Sequence, residues 1–400
     1  MSIDDEIKKI ISPDKIQEYV NLIDHANMVD RSGELTFNIR KILTLKTIPL
    51  GHFKITNGDK EMKSIVYNTD CMEYMKTVQD KFYNFIFIDP PYFRIKGEFD
   101  FKMEFQEWID LHKILASECN RILKDNGSII LWGHAKRIAY QQIEFDKYFN
   151  LLNSSVWRKK NGQNYRLSKE TQRTFIPLTE RFLFYDKGEN KAGLQMIYSN
   201  PDLFGSIKKY MREERDKIIK TKGFKTTKEF NGYINKITDT VDIMGKHYCS
   251  DFEYSFPTKK VYIKLQTTGF FQRPYERLRQ EYERLRRPFN LTEKIKFDVI
   301  DWNQEDNLTR ENNHPTCKPP GLVAELIKIC CSKNSKIFEP FQGTETLRKI
   351  AWNMGLYYEG CELYKKYYEA QENRFKNYIA QPEIFNKLET RDLIFQKELF

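Results

Sequence analysis

An apolar run closed by two prolines constrains the fold of this 400-residue chain more than any other stretch. Residues 85–88 are Phe-Ile-Phe-Ile, which is typical of a buried strand, and Asp89-Pro90-Pro91-Tyr92 follows directly. Each prolyl ring holds the preceding residue extended and offers no N–H. The motif therefore predicts a stiff rim of acceptors, one carboxylate and successive carbonyls, which ends in an aromatic ring. Open α/β sheets bind their ligands at the carboxyl ends of such strands.

The chemistry of this rim suits an amino group attached to a flat ring. Such a group donates two hydrogens in its own plane, and its ring stacks on an aromatic side chain. The motif alone leaves a second interpretation open, which is a Pro-Pro turn with no chemical role. Other segments have to decide between the two.

Strands and helices alternate around the motif. Residues 64–67, 128–132 and 180–186 predict strands, and residues 105–123 predict a helix that ends at Asp-Asn-Gly. This alternation favours an α/β fold with a largely parallel sheet and helices on both faces.

A second α/β section lies near the end of the chain. Residues 336–339 predict a strand, residues 340–344 a glycine turn, and the next helix ends at Gly355. One more strand, 356–360, finishes beside Glu362. This arrangement of strand, turn, helix, strand and acid is typical of adenosyl binding through backbone N–H groups and a carboxylate on the ribose.

The positive charge of the chain is concentrated in its middle. The net charge is +10, and residues 158–313 hold 32 basic and 22 acidic side chains, so the rest is balanced. A solvated basic face is one explanation, but a surface for a polyanion such as a nucleic acid is the better one. The candidate DNA-binding residues of the loop after residue 157 are Arg158, Arg166, Lys169 and Arg173.

A seven-residue repeat marks the end of this basic region. Tyr and Leu recur at 275, 278, 282 and 285, the spacing of a packed helix seam, and leave Arg277 and Arg284 together on another face. That face is either solvated or facing DNA. Residues 227–235 and 241–252 also suggest a helix-turn-helix pair, although common helical pairs share this pattern.

Several classes of protein are disfavoured by the composition. The sequence has no apolar run long enough to cross a bilayer and no secretory leader, so we expect a soluble, cytoplasmic protein. Seven scattered cysteines predict no disulfide framework, and none has metal-ligand spacing, so no metal is expected.

Together, the Asp-Pro-Pro-Tyr motif and the later glycine turn resemble the S-adenosylmethionine-dependent amino-methyltransferases of DNA. Their order, with the motif first, an insert next and a turn preceded by Thr-x-Lys-Pro last, is similar to the beta class. Asp in the first motif position implies adenine N6 as the target. The resemblance covers residues 60–188 and 314–375.

The resemblance implies a Rossmann-like methyltransferase sheet and a division of the chain. We expect an accessory N-terminal segment, 1–60; a catalytic half, 61–188; an inserted, mainly helical target-recognition domain, 189–313; a cofactor-binding half, 314–380; and a C-terminal tail, 381–400.

The resemblance also implies cofactor-binding residues. Asp70 is either a helix N-cap or a contact of the cofactor's adenine. The remaining candidates are Thr316 and Lys318 near the cofactor's carboxylate, Glu339, Phe341, Gly343 and Thr344 around its methionine part, and Glu362 on its ribose.

One position departs from the family's usual turn, Phe-x-Gly-Ser-Gly-Thr. The second glycine is Glu345 here, whose carboxylate would repel that of the cofactor unless it points away or meets the amino group. On this basis Glu345→Gly is expected to tighten S-adenosylmethionine binding.

The implied reaction is methylation of adenine N6 in double-stranded DNA after base flipping. Tyr92 would stack on the base, while Asp89 and the Pro90 carbonyl would accept the amino hydrogens. The alternatives are a catalytically silent DNA-binding subunit and a cytosine-N4 or RNA methyltransferase. A homodimer or a restriction-system partner is a further possibility.

Overall fold

The structure is a computed structural model with two compact units, which divide between Val66 and Tyr67. It describes residues 52–57, 60–94, 103–160, 170, 172–175, 177–187, 204–239, 247–249, 254–303 and 317–380. In the first unit, the described residues form an antiparallel hairpin of β1, His52–Asn57, and β2, Lys60–Tyr67. Most of the predicted accessory segment, residues 1–51, lies outside the described ranges.

Seven described strands of the second unit form one mixed sheet. They are β3, Tyr83–Ile88; β4, Leu123–Gly133; β5, Phe149–Lys159; β6, Thr179–Lys187; β7, Val299–Trp302; β8, Lys336–Glu339; and β9, Tyr357–Cys361. Their order is β9-β8-β3-β4-β6-β5-β7. The first four are parallel, β6 is antiparallel to both neighbours, and β7 is parallel to β5. The predicted α/β sheet is therefore confirmed, with β6 as its reversed strand.

Helices cover both faces of this sheet, as predicted. One face carries α1, Cys71–Thr77; α2, Phe105–Ile122; and α3, Ile138–Phe145. Helix α2 begins with a capping box between Glu104 and Glu107, and its fully buried Leu115 belongs to the same core as Ile86 and Leu131. Truncating such a side chain to alanine typically costs about 2–5 kcal/mol.

The opposite face of the sheet is covered by helices from the C-terminal section of the chain. Its helices are α8, Pro320–Cys330; α9, Thr346–Asn353; and α10, Lys365–Ile379. Leu326 of α8 lines a pocket with Ile130 of β4 and Phe182 of β6, which point away from α2. Helix α8 begins at a proline, which is well suited to the first turn because that N–H has no helical partner.

The charged middle of the chain contains four described helices with their own core. They are α4, Gly205–Lys222; α5, Thr227–Thr238; α6, Lys259–Gln266; and α7, Tyr275–Leu285. Ile207, Phe230, Tyr262 and Leu278 are buried together in this core. The predicted seam of α7 thus packs inward.

Two features qualify the sequence interpretation of this region. Strand β7 falls inside the span 189–313 assigned to the insert, yet it pairs with β5, so its hydrogen bonds make it part of the sheet. Of the suggested helix-turn-helix pair, α5 is formed, while most of residues 241–252 lies outside the described ranges. The domain limits remain predictions.

Candidate active site

The Asp-Pro-Pro-Tyr motif lies at the carboxyl end of β3, where both oxygens of Asp89 have partners. The Tyr92 hydroxyl donates to Asp89 Oδ1 at 2.6 Å, and Lys318 Nζ lies 2.6 Å from Asp89 Oδ2. Lys318 also donates to the Tyr92 hydroxyl at 3.1 Å. Tyr92 and Lys318 are both buried, with 8% and 6% of their surface exposed. The motif is therefore a closed hydrogen-bonded triangle of a carboxylate, a phenol and an ammonium.

Lys318 joins two segments that are far apart in the sequence. It directly precedes the turn into α8 and lies 229 residues after Asp89. The resemblance assigned it to the cofactor's carboxylate, whereas the structure places its ammonium on the catalytic motif. Parallel strands bring both segments to one sheet edge, which explains the meeting.

A second, half-buried carboxylate continues the charged cluster. Glu180, in β6, has one oxygen 3.5 Å from Lys318 Nζ and the other 2.7 Å from Lys159 Nζ in β5. Burial alone would raise the pKa of Glu180, but Lys318 and Lys159 outweigh it and lower that pKa. Burial likewise disfavours the charged form of Lys318, yet Asp89 and Glu180 raise its pKa. The cluster therefore brings two carboxyl groups together with two lysines.

A neutral hydrogen-bond chain supports the motif from α2. The Trp108 indole N–H donates to the Pro91 carbonyl at 2.7 Å. Behind it, His112 Nδ1 lies 2.7 Å from the Trp108 carbonyl oxygen, and Gln141 meets His112 Nε2 at 2.9 Å. Burial lowers the pKa of His112 to about 4, so the ring is neutral near pH 7. The chain fixes the Pro91 peptide and thereby the direction of the motif.

The exit from the motif has an unusual backbone. Phe93 and Arg94 have φ of 61° and 55°, in the left-handed region that non-glycine residues rarely adopt. Phe93 is buried against Phe105 and Trp108, and the Arg137 guanidinium lies 5.4 Å from the centre of its ring. Such strain costs of order 1–3 kcal/mol per residue and persists where packing enforces it, commonly at functional sites.

The glycine turn after β8 forms the second half of the site. Gly343 has φ of 51°, and its N–H donates to the Glu362 carboxylate, which also accepts from the Tyr364 N–H at 2.8 Å. Burial raises the pKa of Glu362 despite these donors. Burial also raises the pKa of Glu339, and Asp89 and Glu362 raise it further. The three carboxylates therefore interact electrostatically across the edge of the sheet.

The turn fits a bound polar molecule. Gln342 is 2% exposed, and neither atom of its side-chain amide has a hydrogen-bond partner among the described residues. A buried amide without partners is costly in a finished protein core, so a polar ligand beside it would be stabilising. Gly343 itself has a positive φ, a backbone conformation that glycine adopts without steric cost in a tight turn.

Glu345 does not face this turn. Its carboxylate receives two hydrogen bonds of 2.9 Å from Arg374 of α10 and one of 2.9 Å from Lys349 of α9. Burial would raise the pKa of Glu345, but these two cations outweigh it and lower that pKa. The side chain thus points away, and the tighter cofactor binding predicted for Glu345→Gly is no longer expected.

With this geometry established, a family model described as DNA methylase matches residues 83–373. The chain belongs to the DNA methylase family. The match covers the motif, the glycine turn and the region between them. It confirms the predicted DNA methyltransferase that uses S-adenosylmethionine and acts on DNA, while the beta-class order stays a prediction.

The chain is similar to type II methyltransferases and to a DNA adenine methyltransferase, all of them bacterial. It is 23% identical over 332 residues to the type II methyltransferase M.HinfI of Haemophilus influenzae, covering 78% of this chain and 68% of the relative. It is 30% identical over 171 residues to M.BamHI of Bacillus amyloliquefaciens, covering 38% and 37%. It is 21% identical over 319 residues to the DNA adenine methyltransferase YhdJ of Escherichia coli strain K12, covering 78% and 82%.

Solved structures of DNA methyltransferases also align with the chain. The M1.HpyAVI–SAM complex aligns with a TM-score of 0.44 at 15% identity, covering 78% of this chain and 98% of that one. The cytosine-N4-specific PvuII DNA methyltransferase aligns with a TM-score of 0.46 at 12% identity, covering 83% and 92%.

In this DNA methylase, Asp70 occupies the N-cap of α1. Its carboxylate is exposed and accepts from the Met72 N–H at 2.7 Å, which is the commoner use of such a residue. The neighbouring Asn68 donates to the carbonyls of Glu362 and Leu363 at 2.8 and 3.2 Å. The start of α1 therefore lies beside Glu362, and the adenine contact of Asp70 remains a prediction.

The predicted DNA-binding residues are only partly described. Arg277, Arg284 and Arg173 are exposed, and Arg158 forms a bidentate ion pair with Asp301 at 2.5 Å. Arg166 and Lys169, together with the cofactor candidate Thr316, lie outside the described residues.

Sequence reasoning missed Lys159, Glu180 and Trp108 as parts of the site. Glu180 begins an apolar strand run, and a charge at such a position was a usable signal that the strand end faces a site. Trp108 matched the apolar face of α2, so nothing in its spacing distinguished its polar N–H from ordinary core packing.

Proposed function

We propose that this DNA methylase transfers a methyl group to the exocyclic N6 of adenine. The observation that carries the proposal is the Asp89 carboxylate at the carboxyl end of β3, hydrogen-bonded to Tyr92 and to Lys318. Asp in the first motif position favours adenine over cytosine. The printed name of the relative YhdJ, a DNA adenine methyltransferase, supports the same target.

The target amino group would be bound by two acceptors. The Pro91 carbonyl already accepts from Trp108, and no described residue donates to the Pro90 carbonyl. Asp89 and Pro90 would therefore accept the two amino hydrogens of an extruded adenine. These bonds draw the lone pair of the nitrogen out of conjugation with the ring and orient it for attack.

Tyr92 would stack on the extruded base. Only 8% of its surface is exposed, so the surroundings of the motif have to open before a base can enter. The hydroxyl bond to Asp89 would then hold the plane of the ring.

The other half of the site would hold the methyl donor. Glu362 would accept the ribose hydroxyls, and Gln342 with the Gly343 turn would bind polar groups of the methionine part. S-adenosylmethionine, when bound, supplies the electrophilic methyl carbon on its sulfonium. The protein's share is then to hold the amino nitrogen and that carbon in line.

The exposed arginines of the helical region would contact the phosphate backbone. Arg277 and Arg284 are exposed on α7, away from its buried Leu278, and both lie in the basic middle of the chain. Together with the loop after β5, this helical region is our candidate for target recognition.

Transfer of labelled methyl groups tests the function. The purified full chain is incubated with methyl-labelled S-adenosylmethionine and mixed-sequence duplex DNA or RNA, and the product is digested to nucleosides. We expect labelled N6-methyl-2′-deoxyadenosine from the DNA and no label in the RNA. Labelled N4-methyl-2′-deoxycytidine or labelled RNA would replace the proposed target, and no incorporation would favour the silent DNA-binding subunit.

A further inference from the structure

A chain of four alternating charges runs from the surface of the sheet to the catalytic motif. Lys159, Glu180, Lys318 and Asp89 are separated in turn by 2.7, 3.5 and 2.6 Å. They come from β5, β6, the turn before α8 and the end of β3. Of these four residues only Asp89 belongs to the motif. The second carboxylate of the row, Glu180, has no role in the function proposed above.

The two middle residues, Glu180 and Lys318, each contact two charged neighbours. Lys318 is nearer to Asp89 than to Glu180, and Glu180 is nearer to Lys159 than to Lys318. Lys318 also lies 4.9 Å from the ring centre of Trp132, which leaves its ammonium little access to water. In so enclosed a site a lysine has to keep a carboxylate partner, because an unpaired buried charge is strongly unfavourable.

Methyl transfer requires an Asp89 carboxylate whose negative charge is not neutralised, which conflicts with its ion pair to Lys318. Positive charge develops on the amino nitrogen as it takes the methyl group, and an unshielded Asp89 would stabilise that charge. An ammonium 2.6 Å from the same carboxylate weakens the effect. Lys318 therefore has to shift towards another anion while Asp89 holds the base, and Glu180 is the nearest carboxylate available among the described residues.

We propose that Glu180 is a positioning residue for methyl transfer, which takes over Lys318 when Asp89 accepts the target amino group. This inference rests on the proposed function. Lys159 competes with Lys318 for Glu180, so its charge opposes the shift.

Substitutions of Glu180 and of its competing partner Lys159 are expected to change the rate of methyl transfer differently. Glu180→Gln removes the alternative partner of Lys318, so the single-turnover rate at saturating DNA and cofactor should fall about tenfold or more. Lys159→Met frees Glu180, so the rate should remain at the wild-type value or rise. Glu180→Asp keeps the charge and should retain a rate well above that of Glu180→Gln.

Cofactor binding is measured beside the rate. The dissociation constant for S-adenosylmethionine, from calorimetry, is expected to stay within about twofold in Glu180→Gln, since the residue touches neither substrate. The control is Glu325→Gln, because Glu325 is another carboxylate that lies between two lysines, Lys328 at 3.0 Å and Lys294 at 3.8 Å. It should leave the rate unchanged.

Wild-type turnover distinguishes failure of the proposed function from failure of the role proposed for Glu180. If the wild-type chain transfers no methyl group to adenine, the proposed function fails. If it does, a wild-type rate in Glu180→Gln overturns the role of Glu180, as does an equal loss in Glu180→Asp. Equal losses in Lys159→Met and Glu180→Gln would also overturn it, because they would mean that the cluster serves only to hold the strands together.

Discussion

The ion pairs of Glu345 should make a measurable contribution to stability. Its carboxylate is buried, whereas the side chains of Arg374 and Lys349 are 28% and 30% exposed. Breaking a fully buried pair costs about 3–5 kcal/mol, because one charge is left without a partner. Here both cations can reach water after the loss, so we expect Glu345→Gln to lower the free energy of unfolding by about 1–3 kcal/mol.

Urea denaturation at pH 7 measures this difference, and acid removes it. The pKa of Glu345 is lowered in the folded state, so its contribution is present above the unfolded pKa, about 4.3, and is lost as pH falls through the folded pKa. Wild type and Glu345→Gln should therefore converge in acid.

The matched control is Glu369→Gln on α10, the helix that also carries Arg374. Glu369 is half exposed and lies 3.7 Å from Lys365, so its loss should cost less than about 0.5 kcal/mol. A double-mutant cycle with Arg374→Met should recover most of the Glu345 effect as coupling energy. Equal stabilities of Glu345→Gln and wild type at pH 7, or a difference that persists unchanged in acid, would refute the ion-pair argument.

Four further substitutions probe the site. Asp89→Ala should abolish methyl transfer and leave DNA binding, measured by fluorescence anisotropy, within about twofold; near-wild-type turnover would remove its assigned role. Trp108→Phe should lower the turnover rate about tenfold by freeing the motif carbonyl, while Trp157→Phe, which loses a similar bond of 3.0 Å elsewhere, should not; equal effects would contradict a role specific to the motif. Because burial raises the pKa of Glu362, calorimetry should show cofactor binding weakening as pH falls from about 8 to 5, a trend that Glu362→Gln should abolish. Arg277→Gln should reduce the slope of log K for DNA against log salt by about 1, and an unchanged slope would place this arginine outside the DNA interface.

The sequence predicted the strands of the sheet because their signals are local. The apolar run before Asp89 and the strand before the glycine turn are each readable within a few residues, and β3 and β8 lie where they were expected. Strand β7 escaped prediction because it has only four residues inside a charged segment. Nothing local distinguishes so short a strand from a loop.

Contacts between side chains that are far apart in the sequence could not be predicted from local sequence patterns. Asp89 and Lys318 were each singled out, but their contact spans 229 residues and depends on strand order. The turn at Glu345 was recognised as unusual from the family pattern, yet its partner Arg374 lies on a different helix and could not be inferred from spacing. Sequence alone thus located both halves of the site without showing which charges neutralise each other.

The positions of Glu180 and Lys318 also limit how this protein can be re-engineered. The chain leaves the sheet after β6, which begins next to Glu180, and the segment that returns to α8 carries Lys318. A foreign segment spliced between residues 204 and 285 would keep Glu180, Lys318 and β7. A splice that replaced everything up to residue 318 would remove β7 and the lysine together, so a chimera of that design should methylate poorly.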